Sequence, residues 1–174
     1  MTLTSALALY TTMILLALLP GPGVVVVVAR ALDSGFRQGL ATAMGILSGD
    51  FIFIALAIFG LAALAEVMGS FFVIIKYAGA AYLIYLGYQL ITSGSIDRPK
   101  QALKPAKYST NYLVGLATSV SNPKVTLFYL SFFPAFLDLE NISVTDIALL
   151  FLIATFSVGL VMAGYAYVAA KTKS

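Results

Sequence analysis

Leu18-Leu19-Pro20-Gly21-Pro22-Gly23-Val24-Val25-Val26-Val27-Val28-Ala29 is the stretch that decides the fold of this chain. It lies in a run, residues 1–29, without a single charged side chain. A helix needs about 20 mostly apolar residues to cross the roughly 30 Å hydrocarbon core of a bilayer. Residues 3–29 therefore read as a membrane span, but not as an unbroken one. Proline cannot donate to the carbonyl four residues earlier, so Pro20 and Pro22 release the carbonyls of Leu16 and Leu18. In lipid, free carbonyls are tolerated only where protein buries them or a watery cavity faces them. A lone membrane proline is commonly a kink. Pro-Gly-Pro-Gly is a break.

The composition agrees with a membrane setting. Of 174 residues, 61% are apolar and 10% charged, with a mean hydropathy of +1.00. Soluble domains are nearer 45–50% apolar and about 25% charged. There is no histidine and no cysteine, which excludes disulfides, imidazole or thiolate metal sites, and nucleophilic triads built on those groups. A net charge of +3 points to a basic membrane face rather than to nucleic acid. The first apolar run has no basic segment before it and is too long for a cleaved signal peptide. Short alternating segments, the mark of a strand barrel, are missing.

Working outward, four further spans follow: residues 38–65, 69 to about 91, 110–137 and 147–170. Arg30, Asp33 and Arg37, with Gly35 among them, mark the first turn, and Glu66 and Gly69 the second. Residues 92–109 form a long polar loop, and Asp138, Glu140, Asn141 and Asp146 the last turn. Arg30, Arg37, Arg98, Lys100, Lys104, Lys107, Lys171 and Lys173 then all fall on one side, with none on the other. The positive-inside rule predicts an external N-terminus and a cytoplasmic tail. The expected fold is an all-α membrane protein, a bundle of five transmembrane helices whose first and fourth are interrupted by Pro and Gly. It forms a single membrane domain over 1–174: a three-helix half (1–93), a basic cytoplasmic loop (94–109) and a two-helix second half (110–174).

Three charges remain inside spans, each costing at least about 2.5–3.5 kcal/mol on insertion. Asp50 lies roughly 18 Å along its helix from Gln38, and Lys124 roughly 21 Å from Thr110, both too deep to reach a surface easily. Lys76, only about 10 Å in from Gly69, can snorkel to the interface. Asp50 reads either as a structural partner for Lys124 or as a proton or cation site in a polar cavity. Ser121-Asn122-Pro123-Lys124 breaks the fourth span as Pro-Gly-Pro-Gly breaks the first, and Pro123 releases the Ser119 carbonyl. Interrupted helices at matching positions of two inverted halves mark the central binding site of secondary transporters. Half-helix N-termini there can hold a carboxylate, and freed carbonyls an ammonium or cation. Ala41, Gly45 and Gly49 form a small-residue stripe for close helix contact. Phe132, Phe133, Phe136, Tyr165 and Tyr167 are among the aromatics expected in an interfacial belt.

With these residues in hand, the chain resembles the LysE/RhtB family of bacterial amino-acid exporters from residue 1 to about 170. The resemblance rests on Leu18 to Gly23, on Gly35-Phe36-Arg37-Gln38-Gly39-Leu40, and on Gly45-Ile46-Leu47-Ser48-Gly49-Asp50. It continues through Lys76 to Gly87, Gly115 to Lys124, and Phe132-Phe133-Pro134-Ala135-Phe136. It implies a transporter, not an enzyme, exporting amino acids or related small zwitterions across the bacterial inner membrane, driven by the proton gradient and without a cofactor. Pro20, Gly21, Pro22, Gly23, Asn122, Pro123 and Lys124 would line the pathway, Asp50 would carry the proton, and Lys76 would be accessory. The family usually has a sixth helix, which this chain lacks; a homo-oligomer could supply the missing wall. The implied partners are the lipid bilayer and an amino-acid substrate, with no nucleic acid. The alternatives are a shortened, non-transporting relative acting as a scaffold, and a passive channel. An intramembrane hydrolase is the remaining rival, disfavoured by the single membrane carboxylate and the absence of histidine.

Overall fold

The computed structural model describes residues 1–68, 107–137 and 141–172, with Tyr77, Ala81, Ile84, Tyr85, Tyr88 and Thr92 as isolated helical positions. Apart from those positions, the expected third span, with Lys76, lies outside the described residues, as do residues 93–106 of the polar loop. Every described element is helical.

Helix α1 (Leu3–Leu18) starts at Thr2, whose side chain accepts from the Ser5 N–H. It ends just before Pro20, and α2 (Pro22–Ser34) begins with proline at its first position, where the missing N–H costs nothing and φ is already helical. The two are bent by 58°. The break expected at Pro-Gly-Pro-Gly is therefore present. Gly35, at φ +88° and ψ 172°, sits in a region essentially reserved for glycine and joins α2 to α3 (Phe36–Met68). The turn is shorter than the charges suggested. Arg30 and Asp33 belong to α2, and Arg30 is buried, because α2, redirected by the break, packs along α3 and the last helix. Glu66 likewise lies within α3 rather than in a turn.

The fourth expected span is built of short pieces. Helix α4 (Tyr108–Val120) stops at Ser121, and Asn122 caps α5 (Pro123–Leu127) by accepting the Lys124 N–H at 3.1 Å. A π turn (Phe128–Phe132) and a 3-10 turn (Phe133–Phe136) follow. Pro134 has no N–H for the Leu130 carbonyl, so the helix changes pitch there. Helix α6 (Val144–Ala154) opens with a reciprocal cap between Ser143 and Asp146, and passes through a second π turn (Thr155–Gly159) into α7 (Leu160–Thr172).

Phe36–Gly60 and Val144–Thr172 are each long and apolar enough to cross a membrane, and α1 with α2 qualifies as one broken span. Leu7, Leu15, Phe59, Leu160 and Val168 are exposed although the bundle buries its own apolar core. Helices apolar on both faces belong in lipid. This is a multi-pass membrane protein.

Helices α3 and α4 cross at backbone contact. A Cβ on Gly45 would overlap the Tyr112 carbonyl oxygen, and one on Gly115 the Thr42 carbonyl oxygen. A Cβ on Gly49 would come within 2.6 Å of the Ser119 Cβ. Gly45 and Gly49 of the stripe expected on α3 thus lie on the packing face, and Gly115 is their reciprocal partner. The described bundle has two ends. At one, the Met1 ammonium donates to Asp146. At the other, Phe36 packs edge-on against Tyr167, and Asn111 donates to Gln38.

Candidate functional site: a cavity between the two broken helices

The first break places Gly21, Pro22 and Gly23 at the start of α2; the second places Asn122, Pro123 and Lys124 at the start of α5. Between them lies a cavity of about 60 Å³, room for several water molecules at about 10–15 Å³ each. Gly23, Asp50, Asn122 and Lys124, all expected at the site, line it. Pro20, Gly21, Pro22 and Pro123 are not among the lining residues; they shape the break behind it. Lys76 lies outside the described residues.

The lining is mainly apolar, from Met13, Leu16, Val24, Ile46, Val125, Phe128 and Met162, with a polar group formed by Asp50, Ser119, Asn122, Lys124 and Tyr129. Asp50 is 3% exposed and accepts from Ser119 Oγ at 3.0 Å. The close approach of α3 to α4 at Gly49 makes that bond possible. Lys124 does not ion-pair with Asp50 among the described residues. Instead its Nζ donates to the backbone carbonyls of Leu16, at 3.0 Å, and Leu19, at 3.1 Å. The Leu18 carbonyl, the other one freed by proline, accepts from Tyr165 Oη at 2.8 Å. So the carbonyls left open by Pro20 and Pro22 are satisfied by side chains more than a hundred residues away.

The arrangement offers a carboxylate, an ammonium with two of its three donors committed, and the uncapped N-terminus of α2, whose Gly21 supplies no side-chain cap. It has the groups to hold a zwitterion.

A family model described as LysE type translocator matches residues 14–173. The chain belongs to the LysE translocator family. Family members are transporters rather than enzymes, as the sequence implied. The chain is 37% identical to an uncharacterized membrane protein of Synechocystis sp. over 169 residues, covering 97% of this chain and 82% of the relative. It is 33% identical over 147 residues to the Leucine efflux protein of Enterobacter sp. (strain 638), covering 84% of this chain and 68% of that one. With the Leucine efflux protein of Salmonella typhi it shares 33% identity over 126 residues, 72% of this chain and 59% of the relative. No solved structure matches.

In this LysE-family chain, sequence reasoning missed three contributors to the site. Ser119 had a signal: it sits four residues before Pro123 and carries the carbonyl that proline frees. Tyr129, buried on the π turn with no hydrogen bond to its hydroxyl among the described residues, had none. Tyr165 was expected in the aromatic belt; it instead holds the first break. Phe133, expected in the same belt, is completely buried, because the 3-10 turn at Pro134 rolls it inward against Phe128 and Tyr129.

Proposed function

We propose that this chain exports amino acids or related small zwitterionic metabolites from the cytoplasm, driven by the proton gradient. The single observation that carries the reading is the cavity where both helix breaks, Asp50 and Lys124 meet. The substrate carboxylate sits between the N-terminus of α2 at Gly23 and the remaining donor of Lys124, and the substrate ammonium faces Asp50. The apolar lining from Met13, Val24, Ile46 and Phe128 suits an apolar side chain. The leucine efflux relatives favour the same choice. Asp50 is the proton carrier; Lys124 and the Tyr129 hydroxyl are the other titratable groups on that cavity.

The same reading places the chain in the bacterial inner membrane as one domain of five spans, with a 1–93 half, a cytoplasmic 94–109 loop and a 110–174 half. The N-terminus is outside and the tail inside, with Lys76 accessory.

Efflux from cells loaded with a leucine-containing dipeptide tests the function. Export of leucine above the vector control, abolished by a protonophore, is expected. Efflux that persists with the protonophore makes the protein a channel, and none for any amino acid makes it a non-transporting relative. In Asp50→Asn the amide oxygen still accepts from Ser119, so the protein should reach the membrane at wild-type levels while coupled efflux drops to the control. Full efflux by that variant refutes Asp50 as the carrier.

A further inference from the structure

Lys124 is the unusual element of the break. Its ammonium bridges to two carbonyls at the C-terminal end of α1, those of Leu16 and Leu19. The first of these is open because residue 20 is proline. Carbonyls at a helix C-terminus carry the negative end of the helix dipole. Unwound carbonyls of broken membrane helices are where carriers coordinate a dissolved cation. Gly21 keeps the place open: a Cβ there would stand 3.3 Å from Lys124 Nζ. The nearby carboxylate, Asp50, accepts from Ser119 and shares the cavity with Lys124, while the direct bonds of the ammonium go to the two carbonyls.

We propose that the Leu16 and Leu19 carbonyls form a monovalent-cation site that the Lys124 ammonium fills as a tethered cation. The broken helix is thereby held together without sodium or any other ion from solution, and removing the ammonium opens the site to a small cation. The proposal stands whichever substrate is carried and whichever group carries the proton. Gly21 is then the residue that gives the site its size, and Lys124 the one that makes it independent of the medium.

The test uses the purified full chain in detergent, with thermal unfolding followed by far-UV circular dichroism. Wild type, Lys124→Ala and Lys124→Met are compared in choline chloride, sodium chloride and methylammonium chloride at equal ionic strength. Wild type should melt at one temperature in all three salts. Lys124→Ala should melt about 5 °C or more lower in choline, as expected for losing charge-assisted bonds in a chain of this size, and saturating sodium or methylammonium should restore it. Lys124→Met, which fills the same space without charge, should melt low in every salt. An Ala variant indifferent to the cation, or a Met variant as stable as wild type, overturns the proposal. Should Lys124→Ala fail to fold in choline, recovery in sodium or methylammonium supports the site, and failure in every salt refutes it.

Discussion

Proline chemistry made the centre of this molecule legible one residue at a time. Pro20 and Pro22 named the carbonyls that would be left open, at Leu16 and Leu18, and both are found bonded by side chains. What the chain could not reveal was who would answer. Tyr165 lies 147 residues from Leu18, and nothing local to a tyrosine near a span end distinguishes an interface anchor from a helix clasp. Asp50 and Lys124 were recognised as deep charges and do face one cavity, yet their direct hydrogen bonds go to Ser119 and to backbone carbonyls. A clasp has a measurable worth. Tyr165→Phe keeps the ring and removes one hydrogen bond to a carbonyl that lacks its helical partner, a loss of about 1 kcal/mol. Melting should fall by about 2–4 °C for a chain of this length. An unchanged melting temperature would mean that the Leu18 carbonyl finds a different donor.

Among the elements, periodicity and small residues were readable, and changes of helical pitch were not. Within the expected Ala41, Gly45, Gly49 stripe, Gly45 and Gly49 mark the face of α3 that meets α4, because small residues let backbones approach closely. The π turns at Phe128–Phe132 and Thr155–Gly159 left no such trace: extra residues in a helical turn depend on what packs around it, not on a local pattern. Both contribute to the cavity, through Phe128, Tyr129 and Val158, in keeping with the concentration of π turns at functional sites. The α3 to α4 crossing predicts a sharp contrast among glycines. Gly45→Ala and Gly115→Ala each set a methyl against a backbone carbonyl that cannot rotate away, so each should cost about 3 kcal/mol or more. Gly164→Ala, with nothing described within 4 Å of its new methyl, should be neutral or stabilising by up to about 1 kcal/mol. Thermal unfolding of the three variants decides it, and equal stabilities would mean that the crossing is looser than its glycines imply.

For the molecule as a whole, charge asymmetry and contact geometry bear on topology independently. Sorting the basic residues assigned Arg37, Lys107 and Lys171 to one side and left the Met1 side without any. The fold separates the same groups: Met1 meets Asp146 at one end, while Phe36, Tyr167 and Lys171 gather at the other. Contacts establish that there are two ends; only the charge bias says which faces the cytoplasm. Because the chain contains no cysteine, each introduced thiol is a unique label. Lys107 and Val144 are both exposed and stand at the beginnings of α4 and α6. In spheroplasts, a membrane-impermeant maleimide should react with Val144→Cys at once and with Lys107→Cys only after the membrane is opened. The reverse pattern would invert the orientation and leave the helical bundle intact. Labelling of both from the same side would contradict the two-ended arrangement itself, since α4 and α6 would then enter the bilayer together.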